Sequence, residues 1–166
     1  MRTIQVKPLT ANSFSRYGAF ADVLHPAGER LGGPEAVFYP DLLRVLSGRG
    51  ATGISVVYTP WRPMVADAAE QHDLATEVLL PLDGDIVCFV APACAASFPP
   101  ELAEAFLVPR GTAVALWPGV WHKAPFPAAK APVSTLVILP ERTYAVDCRV
   151  EELSGDKQLQ LVLPEA

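Results

Sequence analysis

Long apolar runs are missing from this sequence. No stretch approaches the roughly twenty consecutive apolar residues that a membrane-spanning helix needs, and Met1–Thr10 carries Arg2 and Lys7 with no apolar segment behind them. A membrane anchor and a secretory leader are therefore not expected, and a cytoplasmic location is. A basic excess is missing too: the net charge is −5 and the pI near 5.1, with no Lys/Arg stripe interleaved with aromatics, so a phosphate backbone would be repelled and nucleic acid is excluded as a partner. Cysteine is sparse and odd in number, at 3. Cys88, Cys94 and Cys148 lack the close pairing of a thiolate metal site, and they read as reduced, mostly buried thiols. Neither an internal repeat nor a low-complexity tract is present.

What the chain does have is proline, 17 residues, alongside 11 glycines and 51% hydrophobic content in a length of 166. That much proline would break a helical bundle but suits many short strands joined by turns. The length suits one well-cored domain, residues 1–166. Asn12 or Ser13 is expected to cap a helical turn through Phe14 and Tyr17 that ends at Gly18, and Asp41–Leu46 a second short helix closed near Gly48 and Gly50. Strands are expected over Gly53–Thr59, Met64–Glu70, Glu77–Leu82, Asp85–Ala91, Phe106–Val108, Ala113–Trp117, Val133–Leu139, Thr143–Val150 and Leu159–Leu163. The Asp83-Gly84 pair between two apolar runs predicts a β-hairpin there, and Ala91–Pro100 reads as a connection between strands.

Two spacings carry the chemistry. His72, Glu77 and Gly84 follow one another as H-x4-E-x6-G, and Pro118-Gly119 precedes His122 as P-G-x-x-H. Together these resemble the two cupin motifs, and the resemblance implies a double-stranded β-helix, a jelly-roll barrel whose interior receives His72, Glu77 and His122. It also implies a ligand set of His72, Glu77, His122 and Glu70 able to hold one divalent metal, Zn, Mn, Fe or Ni, with no organic cofactor. Two cupin features differ: Glu70 stands where a metal-binding cupin has a first histidine, and Phe126 where a polar residue follows the second-motif histidine.

Further features narrow the family: the opening segment Ile4–Leu24, Glu70-x-His72 followed by the run from Thr76 to Leu82, Val120-Trp121-His122, and Asp147-Cys148. In this order, from Val6 to Arg149, they resemble the ureidoglycolate lyases, cupin-fold enzymes, commonly homodimers, that split ureidoglycolate into glyoxylate and urea in purine breakdown. Those enzymes commonly carry glutamine at the position of Glu77 and histidine at that of Lys123. A carboxylate at 77 would repel a carboxylate substrate unless a metal or an imidazolium neutralises it, so Glu77 points to a metal-holding or base role.

The reaction needs a base for the carbinol hydroxyl, an acid for the departing nitrogen and an anchor for the substrate carboxylate. His72 and His122 suit the first two roles because imidazole titrates near working pH, with Glu77 orienting one of them or acting itself. Arg62 and Lys123 are the candidate anchors. His25, beside Pro26, reads as an ordinary loop residue, and Trp61, Trp117 and Trp121 as core or interface packing. Two other functions fit the same barrel: a metal-dependent cupin enzyme of another class, such as an isomerase or dioxygenase of a small acid, and a non-catalytic small-ligand binder.

Overall fold

Every residue of Ile86–Val90 is buried, so this segment has no solvent side. The fold explains why. In a strand, alternate side chains face opposite ways, and here Ile86, Cys88 and Val90 enter one apolar cluster while Val87 and Phe89 enter another. A sheet buried on both faces demands a continuous apolar run rather than an alternating one.

The computed structural model describes residues 1–47, 50–93 and 96–164. In chain order the elements are β1 (Arg2–Pro8), α1 (Ala11–Phe14), β2 (Gly18–Asp22), β3 (Leu31–Gly33), β4 (Ala36–Phe38), β5 (Thr52–Thr59), β6 (Val65–Ala66), β7 (Ala68–Gln71), β8 (Glu77–Pro81), β9 (Ile86–Val90), β10 (Glu104–Val108), β11 (Thr112–Leu116), β12 (Phe126–Pro127), β13 (Val133–Pro140), α2 (Thr143–Val146), β14 (Arg149–Glu152) and β15 (Leu159–Val162). A six-stranded sheet runs β12-β9-β10-β1-β15-β6 and faces a five-stranded one, β2-β11-β8-β13-β5. Between them lie Leu79, Val114, Leu116, Val133 and Val137 from one sheet and Ile86, Cys88, Val90, Phe106 and Val108 from the other. The second cluster, with Ile4, Val87, Phe89, Ala105 and Leu161, lies on the far face of the six-stranded sheet, where Phe98, Trp121 and Leu153 cover it. Two curled sheets around an apolar interior make the mostly-β jelly-roll that the cupin resemblance implies.

The Asp83-Gly84 turn is not a hairpin. Its flanking strands, β8 and β9, belong to different sheets, and the turn carries the chain across. Leu82 N–H donates to the Ser134 carbonyl, 2.9 Å, and Ser134 N–H donates to Asp83 Oδ1, 2.7 Å, which keeps the chain on the five-stranded sheet as far as Asp83. Beyond it, Arg110 N–H donates to Asp85 Oδ1, 2.8 Å, on the six-stranded sheet. The two aspartates thus cap neighbouring strands instead of shaping a two-residue loop. Glycine is needed between them because a Cβ there would come within 2.9 Å of Val133.

Other expectations need correction. The first helical turn begins and ends earlier, over Ala11–Phe14, with Thr10 as its cap accepting from Ser13 N–H at 3.2 Å; Phe14 and Tyr17 are buried and pack on Phe106. Residues 41–46 form no helix: Asp41 sits at φ 52, outside the right-handed region that a helix requires. Gly48 and Cys94 lie outside the described residues. The expected strand Met64–Glu70 is divided at Asp67, β6 pairing with β15 and β7 with β14. Thr143–Val150 is no strand but the helical turn α2 followed by β14. Strands β1 to β4 and β12 were not expected. Trp121 is a core residue, fully buried, but Trp61 is 45% exposed with Lys130 over its ring. Among the described residues no helix is long and apolar enough to cross a membrane.

Candidate functional site

Strand β7 and the segment after Gly119 place two histidines side by side. Glu70 N–H donates to the His122 carbonyl, 2.7 Å, and His122 N–H to the Glu70 carbonyl, 2.8 Å, an antiparallel bridge. Paired residues share a face, and so does His72, two positions beyond Glu70. The Pro118-Gly119 turn holds this arrangement: Gly119 takes φ 79, a conformation that suits glycine, and its N–H donates to the His72 carbonyl, 2.6 Å. Glu77 arrives from the opposite sheet at the start of β8, on the same face as Leu79, so it too points inward.

His72 Nδ1 donates to the Asp147 carbonyl, 2.6 Å, and His122 Nδ1 to the Val120 carbonyl, 2.9 Å. A carbonyl can only accept, so each Nδ1 carries hydrogen and each Nε2 is turned to the interior. Both meet the same atom: Glu77 Oε2 lies 3.1 Å from His72 Nε2 and 2.8 Å from His122 Nε2. All three residues are buried. A carboxylate oxygen facing two imidazole lone pairs would be repelled, so a positive centre must sit among them.

A proton on His122 Nε2 meets that need for one imidazole and leaves His72 Nε2 placed to take up another. Burial alone would raise the Glu77 pKa, but the attraction of His122 and hydrogen bonds from both imidazoles outweigh it and hold the carboxyl near 2. Burial would lower the pKa of His122, yet Glu77 overrides it and the net shift is upward. A divalent cation meets the need equally well: the two Nε2 atoms and a Glu77 oxygen lie within 4.8 Å of one another, and imidazoles fixed through Nδ1 to backbone carbonyls are the usual support of metal-ligating histidines. The donor set therefore fits a divalent metal.

The trio borders a cavity of about 380 Å³ through two of its members. His72 and Glu77 line it, while His122 lies behind Glu77. Apolar walls come from Val57, Leu79, Val137 and Leu139, and polar groups from Glu70, Arg142, Thr143, Tyr144 and Cys148. Glu70 lines the cavity but stands outside the converging trio, its Oε2 accepting from Lys123 Nζ at 3.2 Å. Lys123 does not line the cavity. Neither does Arg62, whose guanidinium lies over the Phe126 ring at 3.8 Å. Of the cysteines, Cys88 is buried, which pushes its thiol up to about 12; Cys148 is half-buried on the cavity wall, 3.9 Å from Glu70 Oε2, its pKa raised by burial and by Glu70. His25 pairs with Asp22 in an exposed loop, 3.1 Å.

Sequence reasoning passed over Arg142 and the backbone of Asp147. Asp147 does double duty, since besides holding His72 its carboxylate accepts from Asp73 and Leu74 N–H at 2.9 and 3.0 Å. The only trace of this in the sequence is the Asp147-Cys148 pair itself.

A ureidoglycolate lyase from Rhodobacter capsulatus is 33% identical over 125 residues, covering 74% of this chain and 77% of that one. Among solved structures, a dTDP sugar isomerase from Desulfovibrio desulfuricans is 16% identical, with coverage of 84% and 85% and a TM-score of 0.47. A Bacillus subtilis oxalate decarboxylase is also 16% identical, over 63% of this chain and 24% of that one, with a TM-score of 0.45. Both structural likenesses are too distant to bear on chemistry. The family model for ureidoglycolate lyase matches residues 1–161, nearly the whole length, and the chain belongs to the ureidoglycolate lyase family.

Proposed function

We propose that this chain is a lyase that cleaves ureidoglycolate, or a close carbinolamide, to glyoxylate and urea. The observation that carries the reading is the convergence of two fixed imidazoles on one buried carboxylate at the wall of a cavity sized for a small molecule, in a chain of this family.

The reaction removes a proton from the carbinol oxygen, breaks the carbon–nitrogen bond and returns a proton to the urea nitrogen. One proton leaves and one arrives, so a single group can carry both. His72 is suited to it: its Nδ1 is spent on Asp147, and its Nε2 is the basic atom beside the cavity. Glu77 stabilises the imidazolium that His72 becomes, and His122 keeps Glu77 ionised and in place. A positioned acid–base group of this kind contributes on the order of 10²- to 10⁴-fold. If a divalent metal is bound, His72, Glu77 and His122 would hold it, and it would polarise the carbinol hydroxyl and lower its pKa.

The same proposal takes residues 1–166 as one domain of a cytoplasmic homodimer. Supporting the dimer, edge strand β5 exposes Ile54 at 72%, Val56 at 58% and Tyr58 at 65%, a long apolar edge that a second copy would cover.

Two measurements on protein purified without chelator test the chemistry: elemental analysis, and urea release from ureidoglycolate with and without chelation. Near-stoichiometric metal with chelator-sensitive release makes it a metal-assisted lyase. Release without metal leaves His72 and Glu77 to act alone. Metal without release turns the reading to the other cupin enzymes, for which a buried His/Glu/His set is the supporting observation.

A further inference from the structure

We propose that Arg142 is the residue that binds the substrate's carboxylate, and that it sets the specificity of the site for small 2-substituted acids. The inference rests on the lyase reading for the identity of the acid. The need for a cation is set by the cavity itself, which already presents Glu70, Glu77 and Glu141; a free carboxylate entering among three acids requires a counter-charge within reach.

The cations that the sequence suggests for this task are engaged elsewhere. Lys123 is paired with Glu70 and Arg62 is stacked on Phe126. Among the described residues Arg142 is the only lysine or arginine on the cavity wall. Among the described residues its guanidinium has no hydrogen-bond or ion-pair partner. A guanidinium with its donors free presents a planar fork matched to a carboxylate.

Its backbone is built for the position. Arg142 takes φ 64, ψ 19, the left-handed region that a residue with a Cβ enters at a cost. The surrounding turn enforces it: Thr143 Oγ1 donates to the Pro140 carbonyl at 2.8 Å, and the Arg142 carbonyl accepts from Ala145 and Val146 N–H at 2.8 and 3.2 Å. Asparagine or glycine would sit there more easily, so the side chain is kept against the backbone's preference. The same turn runs through α2 to Asp147, whose carbonyl fixes His72. One short segment thus places both the anchor and the base, and their separation decides whether a carboxylate held at one end brings its neighbouring carbinol to the other.

Arg142→Gly is the clean deletion, because glycine accepts the left-handed conformation and the melting temperature should hold or rise. The expected result is a KM for ureidoglycolate raised about 10- to 150-fold, the range of a lost charged hydrogen-bond pair, with kcat within about threefold. Glyoxylate binding, followed by calorimetry, should weaken by the same factor. Millimolar guanidinium ion should restore part of both, and Arg142→Lys should fall between. A purely structural role would move neither the KM-to-kcat split nor the guanidinium response. Unchanged KM and unchanged glyoxylate affinity in Arg142→Gly would overturn the assignment. If the wild-type protein releases no urea, the lyase reading fails by itself, and glyoxylate titration of wild type against Arg142→Gly still decides the anchor: a loss of affinity supports it, equal affinity or no binding by either removes it.

Discussion

Two carboxylates in this molecule sit among potential donors, and they differ in what those donors hold. Glu104, on β10, accepts from Lys7 at Oε1 and from Arg16 and the Tyr17 hydroxyl at Oε2. Each partner always carries a hydrogen at neutral pH, so the cluster is complete with no adjustable proton. Glu77 instead meets two imidazoles whose Nδ1 atoms are committed to carbonyls, so its stability depends on a proton or a cation placed between the groups. The first cluster ties β1, the segment after α1 and β10 together at the surface; the second opens onto a cavity. A satisfied network holds a fold in one state, while one that lacks a single positive charge can take up and release it.

The sharpest break of this comparison is His72→Ala. Turnover should fall by about 10²- to 10⁴-fold, with the melting temperature little changed. Retention of full urea release would remove His72 from the chemistry. The reverse pattern belongs to Glu104→Ala: kcat/KM at room temperature should stay within about twofold, while unfolding free energy drops by about 1–3 kcal/mol as the buried Tyr17 hydroxyl loses its short partner. Urea denaturation beside initial rates reads both, and a large loss of activity without loss of stability would erase the distinction between the clusters.

A smaller effect is the acid limb of stability. Burial would raise the pKa of Glu104, but hydrogen bonds from Lys7, Tyr17 and Arg16 outweigh it and depress it. A depressed carboxylate stabilises the fold above its unfolded pKa, and that contribution is lost as pH falls through the folded one. Stability should therefore decline on acidification from about pH 5 downward. Glu104→Gln should flatten part of that decline and leave the rest, because Glu77 is depressed as well. An unaltered slope would show that Glu104 carries no such linkage.

How much of this was legible in the sequence follows from the range of each interaction. His72, Glu77 and His122 were readable because motif spacing fixes residues on neighbouring strands with a known side-chain period. The apolar run of β9 announced a strand by composition alone. The Asp83-Gly84 turn misled because local turn chemistry is the same whether the chain returns to its own sheet or crosses to the other; the deciding partners, Ser134 and Arg110, are remote in sequence. Strands β1 and β2 escaped notice because their burial patterns include many exposed or half-exposed positions. Arg142 was hidden at the edge of the expected strand Thr143–Val150, since Thr143, Tyr144 and Val146 have strand-forming side chains, whereas the contact that bends the chain there, Thr143 to Pro140, is a hydroxyl bond that composition does not disclose.

The finest test of the comparison lies at Asp147, where structure and chemistry share one residue. Its carboxylate caps Asp73 and Leu74 N–H, as the Glu104 cluster caps its neighbours, while its carbonyl fixes the His72 tautomer. Asp147→Ala removes only the first interaction directly, freeing the turn that follows His72. Stability should fall by about 1 kcal/mol, and kcat should drop by no more than about tenfold with KM nearly constant, since the imidazole is less firmly aimed but still present. Asp147→Asn keeps one of the two acceptor oxygens and should recover part of both losses. If Asp147→Ala instead matched His72→Ala in kcat, the carboxylate itself would have to reach the reacting atoms, and the proton inventory drawn for Glu77 and its two imidazoles would lack a member.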